Sequence, residues 1–168
     1  AIAKTPKELE AAIKTRSAVS GANYGEAFKK NIKTDPELLA MSKNPYFADE
    51  LPEAMKLAKA NNINPKENLT EFLHFIKEGL DARLQSASRP DAPAISKATQ
   101  SSIQEVKRKL VDWLGRKNPD YNAARLEHIR LSRPINQMKV GQEIEQALSA
   151  PATSAERASS FGTTVRQI

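Results

Sequence analysis

The chain has 168 residues, no cysteine, 5% aromatic residues and a formal net charge of +6. The missing cysteines exclude disulfides and thiolate metal sites, and no apolar run reaches the roughly 18 residues needed to span a bilayer. A pI near 9.6 permits contact with nucleic acid or an anionic surface, but acids are interspersed with the bases and stacking aromatics are scarce.

Helix starts punctuate the chain. Thr5-Pro6, Asp35-Pro36, Asn44-Pro45, Asn64-Pro65 and Asn118-Pro119 each set a capping residue before a proline. Proline keeps the residue before it out of the α region, and its own fixed φ and missing N–H suit the first helical position. Thr5 with Glu8 and Asn64 with Glu67 also have capping-box spacing.

The first helix is expected from Thr5 towards Ile32, with Leu9, Ile13, Ala18, Ala22, Ala27 and Phe28 near one face and a bend or break at Gly21 and Gly25. A short helix follows Asp35, carrying Leu38, Leu39 and Met41. Another follows Asn44, carrying Phe47, Leu51, Met55 and Ala58, with Pro52 as a kink or restart. Leu69, Leu73, Ile76, Leu80 and Leu84 share one stripe at helical period, and Phe72 and Phe75 widen it. That breadth predicts a central helix touched by several neighbours. Residues 86–93 read as an exposed loop.

Ile95, Ile103, Val106, Leu110 and Leu114 align on a helix from about Ala94 to a stop at Gly115. Asn118-Pro119 then opens a helix through Leu131, and Ser132-Arg133-Pro134 opens a last one with Met138, Gly141, Ile144 and Leu148. No internal repeat or alternating strand pattern is visible. The expectation is an all-α fold, an irregular bundle of six to seven short and medium helices. It forms a single domain over residues 1–150, with a subdivision point near 86–94 and a mobile or partner-held tail over 151–168. A start at Ala1 rather than methionine reads as a piece excised from a longer product.

Four groups of residues can carry chemistry or contact. His74, Lys77, Glu78 and Asp81 share one flank of a helix. They suit acid–base work or a weak metal site, or else form i,i+4 pairs on a solvated face, the reading preferred here. Tyr121, Arg125, His128 and Ser132 line one stripe with Ala124 and read as a buried hydrogen-bond network, the alternative being a ligand site. Arg108, Lys109, Arg116 and Lys117, with Lys107 beside them, form a basic cluster. It is a solvated face unless it contacts an acidic partner or nucleic acid. Gly141 between Met138 and Ile144 permits close helix approach, within the chain or between copies. No nucleophile elbow, phosphate-binding glycine loop or histidine pair at metal spacing occurs. No catalytic residue, cofactor, metal or small-molecule substrate is expected.

Taken in order, Leu73-His74-Phe75-Ile76-Lys77-Glu78-Gly79-Leu80-Asp81, the helix ending at Trp113-Leu114, Pro119-Asp120-Tyr121-Asn122-Ala123-Ala124-Arg125, Ser132-Arg133-Pro134, Met138 and Gly141 form a pattern. From about Ser17 to Leu148 it resembles a helical region of large bacteriophage and prophage virion-associated proteins, some joined to peptidoglycan-cleaving or DNA-ejection modules. Members often carry a second acid after the Leu-Asp pair, where this chain has Ala82. The resemblance implies a structural or interaction module whose partners are other virion proteins or further copies of itself. Its location would be the virion, or the host bacterial cytoplasm during expression. It transfers no catalytic residue.

Overall fold

Six helices account for 85% of the described residues, and no strand occurs among them. The computed structural model describes residues 5–87 and 95–149, so the expected tail over 151–168 lies outside the described residues. The helices are α1 (Pro6–Phe28), α2 (Pro36–Ser42), α3 (Pro45–Ala60), α4 (Leu69–Ala87), α5 (Lys97–Lys117) and α6 (Pro119–Ser149).

The capping chemistry sets most of these starts. Glu8 N–H donates to Thr5 Oγ1 and Thr5 N–H donates to the Glu8 carboxylate, both at 3.2 Å, which is a reciprocal capping box. Asp35 accepts from Leu38 N–H and Asn44 accepts from Tyr46 N–H, each at 2.9 Å. Ser96, a cap with no proline after it, accepts from Thr99 N–H at 3.1 Å.

Several expected boundaries move. Asn64 takes the N–H groups of Glu67 and Asn68 on its carbonyl, but this closes only one turn, and α4 starts afresh at Leu69. Gly21 and Gly25 do not interrupt α1, nor Pro52 α3. Gly115 does not stop α5. A Cβ there would come within 3.2–3.4 Å of the Asn122 side chain, so this glycine admits the start of α6 instead. Ser132-Arg133-Pro134 opens no new helix either. The Ser132 hydroxyl donates back to His128 C=O at 2.8 Å, a bond compatible with an uninterrupted helix, and α6 runs on through Pro134.

Two compact units arise, Asn23–Ala124 and a second made of Ala1–Ala22 with Arg125–Ile168. The chain passes between them within α1 and within α6, whereas both flanks of the 86–94 segment belong to the first unit.

The Asn23–Ala124 unit holds a continuous core. α4 lies along both α3 and α5, and α2 rests against α3 and α5. Leu73, Ile76 and Leu80 of α4 meet Phe47, Ala54 and Ala58 of α3 and Ile103, Val106, Leu110, Trp113 and Leu114 of α5 in one buried cluster. The broad apolar face of α4 is thus covered on two sides, as its breadth implied. Polar groups that enter the core are bonded. Asn118, wholly buried, donates to Ala27 C=O at 2.9 Å and to Thr70 Oγ1 at 3.1 Å. Glu50, also buried, receives Arg83 Nε at 2.6 Å.

That last pair explains Gly79. A Cβ on Gly79 would collide with the Glu50 carboxylate. Gly79→Ala is expected to destabilise by about 1–3 kcal/mol because Glu50 must leave Arg83 or α3 must back away. Placed on Glu50→Ala, the same substitution should cost far less. Equal costs in both backgrounds, read from urea unfolding, would exclude the collision as the cause.

In the second unit, α1 and α6 run antiparallel. Arg16 Nη1 donates to Ser132 Oγ at 3.2 Å, and Ser20 Oγ and His128 Nδ1 are 2.6 Å apart. Four residues along α1 thus match four residues back along α6. Of this unit's described residues only Ser20, Ile135 and Ala147 are buried.

Candidate functional site

His74 is the most densely contacted of the candidate side chains. Tyr24 and Phe28, one helical turn apart on α1, set their rings 4.8 and 5.4 Å from the imidazole, and Tyr121 of α6 comes edge-on at 5.6 Å. The side chain is 13% exposed and that of Lys77 17%, so these two are largely covered, whereas Glu78 at 59% keeps to the solvated face expected for this flank. Nε2 lies 2.9 Å from the Glu78 carboxylate and must carry a hydrogen there. In the neutral ring, Nδ1 then accepts from the Tyr121 hydroxyl 2.8 Å away. The hydrogen bond from His74 holds the Glu78 carboxyl below its ordinary value, while burial pushes Glu71 up.

The expected i,i+4 pairs are both formed, His74 with Glu78 and Lys77 with Asp81 at 2.8 Å. Asp81 also receives Lys107 of α5 at 2.5 Å. Burial raises the Asp81 carboxyl, the bonds from Lys107 and Lys77 outweigh it, and the group ends below its ordinary value. This flank therefore ties α4 to α1, α5 and α6 through partnered groups. Among the described residues, no set of three or more His, Asp or Glu forms a metal cluster.

The expected network of Tyr121, Arg125, His128 and Ser132 is distributed over both units. Tyr121, fully buried, joins His74 in the first. His128 and Ser132 engage Ser20 and Arg16 in the second, where Arg125 also lies. The Tyr121 bond links α6 to α4, and those of His128 and Ser132 link α6 to α1.

The basic cluster is neutralised at short range. Arg108 reaches Glu105 at 2.6 Å and Asp112 at 3.1 Å, and Lys109 lies 4.0 Å from Glu105. Arg116 forms a two-pronged bond with Glu37, at 2.6 and 3.1 Å. Lys117 meets Asp35 at 3.0 Å and stands 5.9 Å from the centre of the Trp113 ring. Arg108, Lys109 and Arg116 do share one groove of about 450 Å³ between α2 and α5, as a contiguous surface requires. Glu37 and Asp112 line it too, over a floor of Ala40, Met41 and Val106. A second, more apolar groove of about 380 Å³ is lined by Tyr46, Ala82, Arg83, Ile95, Thr99 and Ile103. His74, Asp81 and Tyr121 line neither groove.

Asp35 escaped the sequence reading except as a cap. It accepts from Leu38 N–H, Lys117 and the Trp113 indole, and these bonds hold its carboxyl at about 2. A carboxyl lowered on folding stabilises the fold above its ordinary range, and that contribution is lost as pH falls towards 2. Asp35→Asn is therefore expected to flatten the dependence of melting temperature on pH between 4 and 2. An unchanged slope would remove Asp35 from the acid response.

No described helix is long and apolar enough to cross a membrane. The fold defines an all-α protein. Comparison with known protein families, with curated proteins and with solved structures found no match.

Proposed function

We propose that the chain is a non-enzymatic structural or interaction module of a phage- or prophage-encoded, virion-associated protein, acting through contacts made by helix faces with other virion proteins or with copies of itself. One observation carries the non-enzymatic part. The side chains most suited to catalysis, His74, Glu78, Asp81 and Tyr121, are engaged in bonds within α4 or between helices and line neither groove. The virion context rests on the ordered resemblance from Leu73 to Gly141. Mass spectrometry of purified particles from the encoding phage or prophage tests it, and absence of the chain from them would end the virion reading.

The alternative, a nucleic-acid-binding module using Arg108, Lys109, Arg116 and Lys117, has less support. Each of these cations faces a carboxylate. Binding through them would oblige phosphates to compete with those acids. Affinity for duplex DNA at low salt that falls steeply as salt rises would favour it.

A further inference from the structure

The face of α6 turned away from α1 carries a second stripe, exposed at five of its positions and half-buried at Val140 and Ile144. Leu126, Arg130, Arg133, Gln137, Val140, Ile144 and Leu148 recur at spacings of four and three, the period of a helix–helix seam. At about 100° per residue they fall in one sector, opposite His128, Ser132 and Ile135, which mark the side facing α1. Leu126 is 52% exposed and Leu148 62%, and Arg130, Arg133 and Gln137 between them are exposed as well. An antiparallel pair of helices with so few buried residues leaves its outer faces available to a further helix.

The order of residues along the seam says what would cover it. The ends are apolar, the middle is polar, and charge is distributed unevenly. Arg125, Arg130 and Arg133 precede Gln137 with one acid, Glu127, among them, whereas Glu143 and Glu145 follow it with one cation, Lys139. We propose that α6 is the self-association surface of this protein, pairing antiparallel with α6 of a second copy about a two-fold axis at Gln137. In that register Leu126 meets Leu148 of the other copy, at both ends of the contact. Arg130 lies over Ile144, between Glu143 and Glu145 of the other copy. Its stem covers the isoleucine, and its guanidinium, which bonds Glu127 in the single chain, gains two further acids. Arg133 faces Gly141, which stands beside Val140 at the edge of the seam and offers no side chain to obstruct it. A two-fold contact must be self-complementary, and this sequence of groups is. The inference rests on the interaction-module reading and specifies its partner.

The absence of native cysteines makes the register directly testable on the full chain. Sedimentation should show a dimer whose dissociation constant rises at least tenfold in Leu126→Glu and in Arg130→Glu. Under mild oxidation Gln137→Cys should form a covalent dimer. Leu126→Cys alone should not, because the two copies of that position stand about 33 Å apart. An equimolar mixture of Leu126→Cys and Leu148→Cys should cross-link. A chain that is monomeric at all concentrations overturns the proposal, and so does self-cross-linking of Leu126→Cys, which means a parallel contact. Monomeric behaviour with the chain present in purified particles sinks this inference alone. A dimer with the chain absent from particles sinks the virion reading alone.

Discussion

Replacing Trp113 by alanine is expected to cost about 3–5 kcal/mol, a large fraction of the roughly 5–15 kcal/mol that keeps a domain folded. The side chain is wholly buried among α5, α2 and α4, and it is the only tryptophan in the chain. Two contributions separate cleanly. Its indole N–H donates to Asp35 Oδ1 at 3.0 Å, which ties α5 to the cap of α2. Its ring supplies a large share of the apolar area buried at that junction. Trp113→Phe keeps most of the area and loses the bond, while Asp35 keeps Leu38 N–H and Lys117 as partners. The phenylalanine variant should therefore lose only about 1–2 kcal/mol, because no buried acceptor is left bare. Urea unfolding followed by circular dichroism decides the matter, with an unchanged slope and a shifted midpoint expected. If alanine and phenylalanine prove equally damaging, the bond rather than the packing dominates.

Helix starts were legible because a cap is a local event. Thr5 with Glu8, Asp35 and Asn44 each make the bond that their neighbours in sequence imply. Helix interiors were less legible, since tertiary contacts override a weak local preference. Pro134 and Gly115 read as breaks by composition. Yet α6 runs on through Pro134 with Ser132 bonded to His128 and Arg16, and α5 runs past Gly115, whose missing Cβ makes room for Asn122. Asn64-Pro65 carries the same signal as Asn44-Pro45, with Glu67 at capping-box spacing besides, yet it closes a single turn.

The polar clusters show the same division. The pairs His74–Glu78 and Lys77–Asp81 are separations of four along one helix, so the sequence states them. The third dimension was hidden. Nothing in the spacing of Tyr24, Phe28, His74 and Tyr121 says that they meet, although the first two share a face one turn apart. Likewise the basic cluster was visible as a run of cations, whereas Glu37 and Asp35, which neutralise Arg116 and Lys117, lie nearly eighty residues away. A run of cations read along a chain overstates the local charge that a partner meets when folding brings distant acids to it.

Asn118 combines both kinds of information, and its replacement by aspartate is the sharper probe of the core. The sequence marks it as the start of α6, and its Oδ1 does accept from Tyr121 N–H at 3.3 Å. Its other end turns inward. Ala27 C=O can only accept, so the amide must point its NH₂ there, and the same group reaches Thr70 Oγ1. One wholly buried side chain thus joins the end of α1, the start of α4 and the α5–α6 junction. Asn118→Ala removes these bonds and should cost about 2–3 kcal/mol. Asn118→Asp keeps the shape but sets an anion against the Ala27 carbonyl oxygen, for about 3–5 kcal/mol at neutral pH. Burial and the facing Ala27 carbonyl oxygen favour the neutral acid, so the introduced carboxyl is raised in the folded state. Stability should then return as pH falls through the raised folded value towards the ordinary carboxylate range, where the protonated group can again donate to Ala27. At pH 4 the aspartate variant should be closer to the parent protein than at pH 7. A deficit that is the same at both values would mean that the side chain does not face the carbonyl in the folded chain.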